Sequence, residues 1–207
     1  TWYGSGSPQA LINGDTNVVI KGKEGVTFTG MIAGASFTEH KANSTVTGST
    51  NINISGNSEY EGIIVGGTIF NKWVTDFPET SVGAVNMQIS GGTFNERIIG
   101  GDALLPDGQM KSYVGDVSMT ISSGTFNANV MGGSFKGPNG GGNQVIKVGS
   151  VNMVISGGSM AAGKTLLGGS WLSGTGNASL GNNGNLAMGD INLTITDGSW
   201  QNILGGS

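Results

Sequence analysis

The side chains able to do acid–base chemistry in this chain are few: thirteen acids, one histidine (His40) and one arginine (Arg97) among 207 residues. Hydrolysis or elimination on a sugar polymer needs two carboxylates facing one bond, or acidic cation ligands beside a basic residue. The acids are scattered, as Asp76 and Glu79, Glu96, Asp102 and Asp107, and Asp116. Asp102, Asp107 and Glu79 are the ones that neighbouring loops can bring together. Glu59 and Glu61 flank Tyr60, and on a strand both point outward, which reads as a solvated face rather than a metal site. Residues 158–165, GSMAAGKT, resemble a phosphate-binding loop. That motif works only between a strand and a helix whose N-terminus faces the phosphates. With no cysteine there is no disulfide and no thiolate metal site. No metal and no cofactor is expected, and the balance of these observations is against an enzyme.

The elements that must position these residues come from a repeat. Residues 85–101 read VNMQISGGTFNERIIGG, 117–133 VSMTISSGTFNANVMGG, 151–169 VNMVISGGSMAAGKTLLGG and 191–206 INLTITDGSWQNILGG, with looser copies starting at Thr16 and Thr50. One isoleucine marks each copy: Ile20, Ile54, Ile89, Ile121, Ile155 and Ile195, at steps of 34, 35, 32, 34 and 40 residues. Around the marker, apolar Val85, Met87 and Ile89 alternate with polar Asn86, Gln88 and Ser90, the period of a half-buried strand. Paired glycines bound segments of a few residues, where helices are disfavoured and sharp turns are easy. Each copy is therefore a set of short strands joined by Gly-rich corners.

One such unit cannot bury its apolar side alone; stacked units can, and they also pair their strand edges. The expected fold is all-β, a parallel β-helix of about six coils with a repeat of about 34 residues, forming a single domain over 1–207. Stacking predicts internal ladders: Val18, Ile52, Met87, Met119, Met153 and Leu193; the marker isoleucines; and Phe28, Tyr60, Phe94, Phe126, Met160 and Trp200. These stripes read as core packing. Whether each copy is one coil or two stays open, because the I–G–G pattern occurs twice per copy. A Gly-leader recurs before each strand, as in Gly83-Ala84-Val85 and Gly115-Asp116-Val117, and reads as a corner returning the chain to the first strand.

Segments 36–47, 68–82, 102–114, 134–148 and 170–188 do not repeat and fall at the same place in each coil. Stacking puts them on one side, where repeat proteins often bind. The candidate binding residues on this loop face are Trp73, Phe77, Asp102, Asp107 and Tyr113, with the two aromatics as anchors. Both can equally cover the interior at a corner.

Charged residues are 11% of the chain, hydrophobic ones 36%, and the net charge is −4. Periodic apolar residues exclude disorder, and the shortage of cations excludes a nucleic-acid surface. No apolar run reaches the length of a membrane span. The absence of an initiating Met points to a segment of a longer protein. Thr93 and Thr125 align with Ser159 and Ser199, a ladder too short and mixed for an ice-binding surface.

The repeated ISGGTF…IGG units resemble the glycine-rich β-helical repeats of large bacterial surface proteins, with autotransporter passenger domains and related adhesins nearest. The resemblance spans residues 13–206. It implies a right-handed helix and an exported, cysteine-poor stalk outside the cell or at its surface, structural or adhesive. Its expected partners are a host or microbial surface glycan or protein, met on the loop face, or another copy met end to end. It supplies no catalytic residues. The alternative is a β-helix that binds or cleaves carbohydrate.

Overall fold

The computed structural model describes residues 9–38, 42–70, 78–105, 110–137, 144–172 and 185–206. The chain is a parallel β-solenoid of about five turns, one turn per repeat. The described residues contain strands and turns and no helix. A long sheet of eleven strands carries the pattern seen in sequence; its main strands are Thr16–Gly22, Asn43–Gly56, Glu79–Phe94, Met110–Phe126, Val151–Met160 and Ile191–Ser199. A second sheet stacks six short strands, among them Ile64–Val65, Ile98–Ile99 and Val130–Met131. A third stacks five, among them Ile69–Phe70, Ala103–Leu104 and Phe135–Lys136.

All pairings are parallel and run from copy to copy, so the expected ladders are real neighbours. Val18, Ile52, Met87, Met119, Met153 and Leu193 pair in that order, and so do the six marker isoleucines. Phe28, Tyr60 and Phe94 stack with ring centroids 5.1 and 4.9 Å apart, and Phe94 lies 5.1 Å from Phe126. Those separations match the spacing of hydrogen-bonded strands, about 4.8 Å, so backbone pairing sets the ring stack. Met160 is the register neighbour of Phe126, and the Trp200 ring reaches that same Phe126 at 5.4 Å, tilted by 32°.

The ring stack depends on a glycine. Gly92 has φ +104°, and a Cβ there would meet the Tyr60 ring at 2.9 Å and the Phe94 ring at 3.1 Å. The second glycine of the SGG motif thus clears the floor on which the aromatic two residues later lies. The cost of the stack falls on Tyr60, whose buried hydroxyl has no hydrogen-bond partner among the described residues. Leaving such a group dry costs about 1–3 kcal/mol, and phenylalanine already serves in the flanking coils. Tyr60→Phe is expected to raise the unfolding free energy by about 1 kcal/mol. The check is a higher urea midpoint at unchanged slope.

At Gly48, Gly83 and Gly115 the Gly-leader is a bend inside one long strand rather than a returning corner, and at Gly14, Gly149 and Gly189 it separates two strands of the same sheet. Glu79–Phe94 runs through Gly83, where the pairing with the preceding coil shifts register. Val82 and Val85 both face inward although three residues apart. The wall changes direction there while its ladder continues. Where the leader carries an aspartate, the side chain ties the bend to the next coil: Asp15 accepts from the Ser49 N–H at 2.7 Å and Asp116 from the Ser150 N–H at 2.8 Å.

The non-repeating segments are also shorter than the sequence suggests. The third sheet and the first half of each long strand lie inside them, with Val46, Val82, Val114 and Val148 forming a buried column.

The paired glycines between the second and third sheets have a specific task. A Cβ on Gly100 would strike the Gly132 carbonyl and stand 2.8 Å from Val117 Cγ1. One on Gly132 would stand 2.6 Å from Val151 Cγ1 and strike the Gly168 carbonyl. In each case the corner of one coil presses on the long sheet of the next. The interior narrows there to a waist. On one side lie the Met, Ile and aromatic ladders; on the other lie the valine column, Phe70 and Leu104. A second apolar cluster (Val65, Ile69, Ile99, Ala103, Met131 and Phe135) occupies the opposite face of the two short sheets. It fills the cleft that the inward corner creates outside.

Candidate functional site

Asp102 is the residue whose place most differs from the expectation. It is fully buried rather than presented on a loop face. Its carboxylate accepts from the Thr68 N–H at 2.6 Å, the Thr80 hydroxyl at 2.8 Å and the Ser112 hydroxyl at 2.8 Å. Thr68 and Thr80 belong to the preceding coil and Ser112 to the coil of Asp102 itself, so one side chain links neighbouring coils. Elsewhere the same rung holds a hydroxyl. The Asp102 N–H donates to Ser134 Oγ at 3.0 Å, and the Ser134 N–H to Ser170 Oγ at 2.9 Å. Asp102 is thus a carboxylate inserted into a Ser/Thr ladder that satisfies backbone groups at the corner.

Glu79 does not meet it. Alternation turns Glu79 outward, where it lies 3.6 Å from Lys111, and turns Thr80 inward toward Asp102. The carboxylate pair that cleavage of a glycan requires is therefore not formed by these two residues. Tyr113 is half-buried on the outer surface, with Lys147 Nζ 5.6 Å from its ring centre, while its neighbour Ser112 faces Asp102. Trp73, Phe77 and Asp107 lie outside the described residues, as does His40.

Burial raises the Asp102 pKa, and the hydrogen bonds from Thr68, Ser112 and Thr80 oppose the rise without cancelling it. The folded chain therefore holds this proton more tightly than the unfolded chain does. The associated stability is complete below the unfolded carboxylate value, about 3.9, and is lost as pH rises through the raised folded value. Asp102→Asn keeps an acceptor for the Thr68 N–H and carries no charge. It is expected to be at least as stable as the parent at neutral pH, with the difference closing as pH falls toward 4. Urea midpoints across that range give the result, and a pH-independent difference would exclude this account.

A polar corner follows the aromatic stack. Glu59 and Glu61 both point outward, as alternation requires, and accept from Asn95 Nδ2 at 3.0 and 2.7 Å. Asn127 Nδ2 donates to Asn95 Oδ1 at 2.7 Å, and the Thr165 N–H donates to Asn129 Oδ1 at 3.0 Å. A shallow depression of about 150 Å³ opens beside these amides, bordered by Glu96, Arg97 and Lys164. Lys164 does not belong to a phosphate loop. Strand Val151–Met160 precedes it and strand Thr165–Leu167 follows, so no helix N-terminus is present to face an anion.

The outer surface of the long sheet carries a feature that sequence reasoning passed over. Asn17, Asn51, Asn86, Ser118, Asn152 and Asn192 form one column, and Val19, Asn53, Gln88, Thr120, Val154 and Thr194 the next. Neither column holds a charge. Asn86 Nδ2 donates to Asn51 Oδ1 at 2.9 Å, so the amides bond along the stack. The recurring Asn beside the first inward residue of each copy was the available signal. Among the described residues no three His, Cys, Asp or Glu side chains are grouped so as to hold a metal, and no helix is long and apolar enough to cross a membrane. Comparison with known proteins finds no family model, no curated protein and no solved structure that matches this chain.

Proposed function

We propose that this chain is a stretch of a β-solenoid stalk of a bacterial surface or secreted protein, structural or adhesive, working by stacking. One observation carries the reading. Among the described residues every large hydrophobic side chain that is exposed lies in the first or last coil: Leu11, Ile12, Val19, Val26, Met31 and Phe37 at one end, Ile203 and Leu204 at the other. The middle coils bury theirs against neighbours. Among the described residues the first and last coils thus have a stacking neighbour on one side only, and their apolar side chains are ones that a further coil, or another copy of the chain, would cover. Joining one end to the other is heterologous and extends without closing.

Sedimentation over a concentration series tests this. The parent is expected to grow in sedimentation coefficient with concentration, and lysines at Thr194 and Thr196 on the last rung are expected to reduce that growth. A strictly monomeric chain at high concentration would sink the self-association arm.

Glycan binding is the second reading, favoured by the uncharged amide columns and the polar corner. A glycan array together with a reducing-sugar release assay separates it from cleavage: binding without release is expected.

A further inference from the structure

The corner depression is lined mostly by amides and charged side chains. It spans three coils, with Asn95, Glu96 and Arg97 from one, Asn127 and Asn129 from the next, and Lys164 from a third. The stack alone creates it. Ala128 takes the place of Glu96 one coil on, and its small side chain leaves the space open.

The polar groups facing this space are held in fixed orientations. Asn95 donates to two glutamates, which leaves its Oδ1 to accept from Asn127. The Asn127 amide is thereby oriented with its own Oδ1 available as an acceptor. Asn129 Oδ1 is occupied by the Thr165 N–H, so its NH₂ is left as a donor. Arg97 is steadied from below by the Phe135 ring, 4.8 Å from its guanidinium carbon, and lies 3.9 Å from Glu96. Of the residues lining the depression, Arg97 and Lys164 are cations and Glu96 is an acid, while the carboxylates of Glu59 and Glu61 lie one coil back, bound to the Asn95 amide. Donors and acceptors in defined directions, with two cations among them, are what a small polyhydroxylated anion needs. Arginine binds a carboxylate through paired N–H groups, and lysine adds a point charge.

We propose that this depression is a subsite for one uronate unit of an acidic polysaccharide. The carboxylate lies toward Arg97 and Lys164, and the ring hydroxyls lie toward the Asn127 and Asn129 amides. The inference rests on the glycan-binding reading above and specifies its ligand.

The test uses the full 207-residue chain immobilised on a biosensor. The probes are oligogalacturonate and neutral malto-oligosaccharide of equal length, each at low and high salt. Oligogalacturonate is expected to bind and to weaken as salt rises. Lys164→Gln, at a half-buried position, and Arg97→Gln together are expected to weaken it by about tenfold or more, since both charge-assisted contacts go. Circular dichroism confirms that the variants keep their β-structure, and Lys164→Gln alone is expected to show part of the loss. Equal binding by parent and double variant overturns the subsite, and so does a parent that ignores oligogalacturonate. If malto-oligosaccharide binds while oligogalacturonate does not, the uronate subsite fails and glycan binding stands. If neither binds, both fail.

Discussion

Ile121→Ala is expected to lower the unfolding free energy by about 2–5 kcal/mol, the range for emptying a buried aliphatic site. Ile121 is fully buried and sits between Ile89 and Ile155 in the marker ladder. Its rung cannot close over the cavity easily, because each flanking strand is fixed in register by backbone bonds to the next coil. The adjacent Thr120 faces outward and is exposed. Thr120→Ala is expected to cost well under 1 kcal/mol. Equilibrium urea unfolding of both variants gives the comparison. Equal losses would mean that inside and outside are exchanged along this strand.

Gly100→Ala is expected to cost about 3 kcal/mol, the upper end of the overpacking range. The added methyl would meet a backbone carbonyl, that of Gly132, as well as Val117 Cγ1. A side chain can rotate away; the carbonyl of Gly132, a residue whose own N–H is bonded to the Leu167 carbonyl of the next coil, cannot. Relief requires widening the waist, which pulls the corner from the long sheet in two coils at once. Gly30→Ala is the control, because a Cβ there meets nothing within 4 Å. It is expected to stay within about 0.5 kcal/mol of the parent, as surface substitutions usually do. Similar losses at both positions would show that general glycine effects, and not the waist, set the cost.

What could be seen in the sequence followed from how many residues carried each signal. The alternation of Val85, Met87 and Ile89 extends over a strand and recurs down the chain, so the long sheet, its ladders and the parallel stack were all legible. The third sheet was not, because strands such as Ile69–Phe70 and Ala103–Leu104 are two residues long and cannot display a period. In sequence the bend at Gly83 reads as a corner, since inward positions Val82 and Val85 break the alternation although the ladder runs on. Paired glycines announced a turn but not what the turn touches; Val117 and Val151 are far away in sequence from the glycines they press against. Asp102 looked like a loop carboxylate because a charged residue is normally outside. Its companions at the same rung, Thr68, Ser134 and Ser170, were the clue that the position holds a backbone-satisfying oxygen. Within the corner depression, Arg97 and Lys164 were visible as rare cations, but only the register of three coils puts them on one site.

The direction of the backbone hydrogen bonds has a mechanical consequence. They run from coil to coil, along the axis, as in Gly100 N–H to the Met131 carbonyl at 2.8 Å and Gly132 N–H to the Leu167 carbonyl at 2.8 Å. A tensile load applied to the two chain ends therefore does not shear all rungs together. It peels the outermost coil, one rung of bonds after another, and then loads the next. Such a chain yields coil by coil, lengthening at each step by the residues of one repeat. The step at Asp102 differs from the rest, because its carboxylate must release Thr68 and Thr80 of the preceding coil before that level can open.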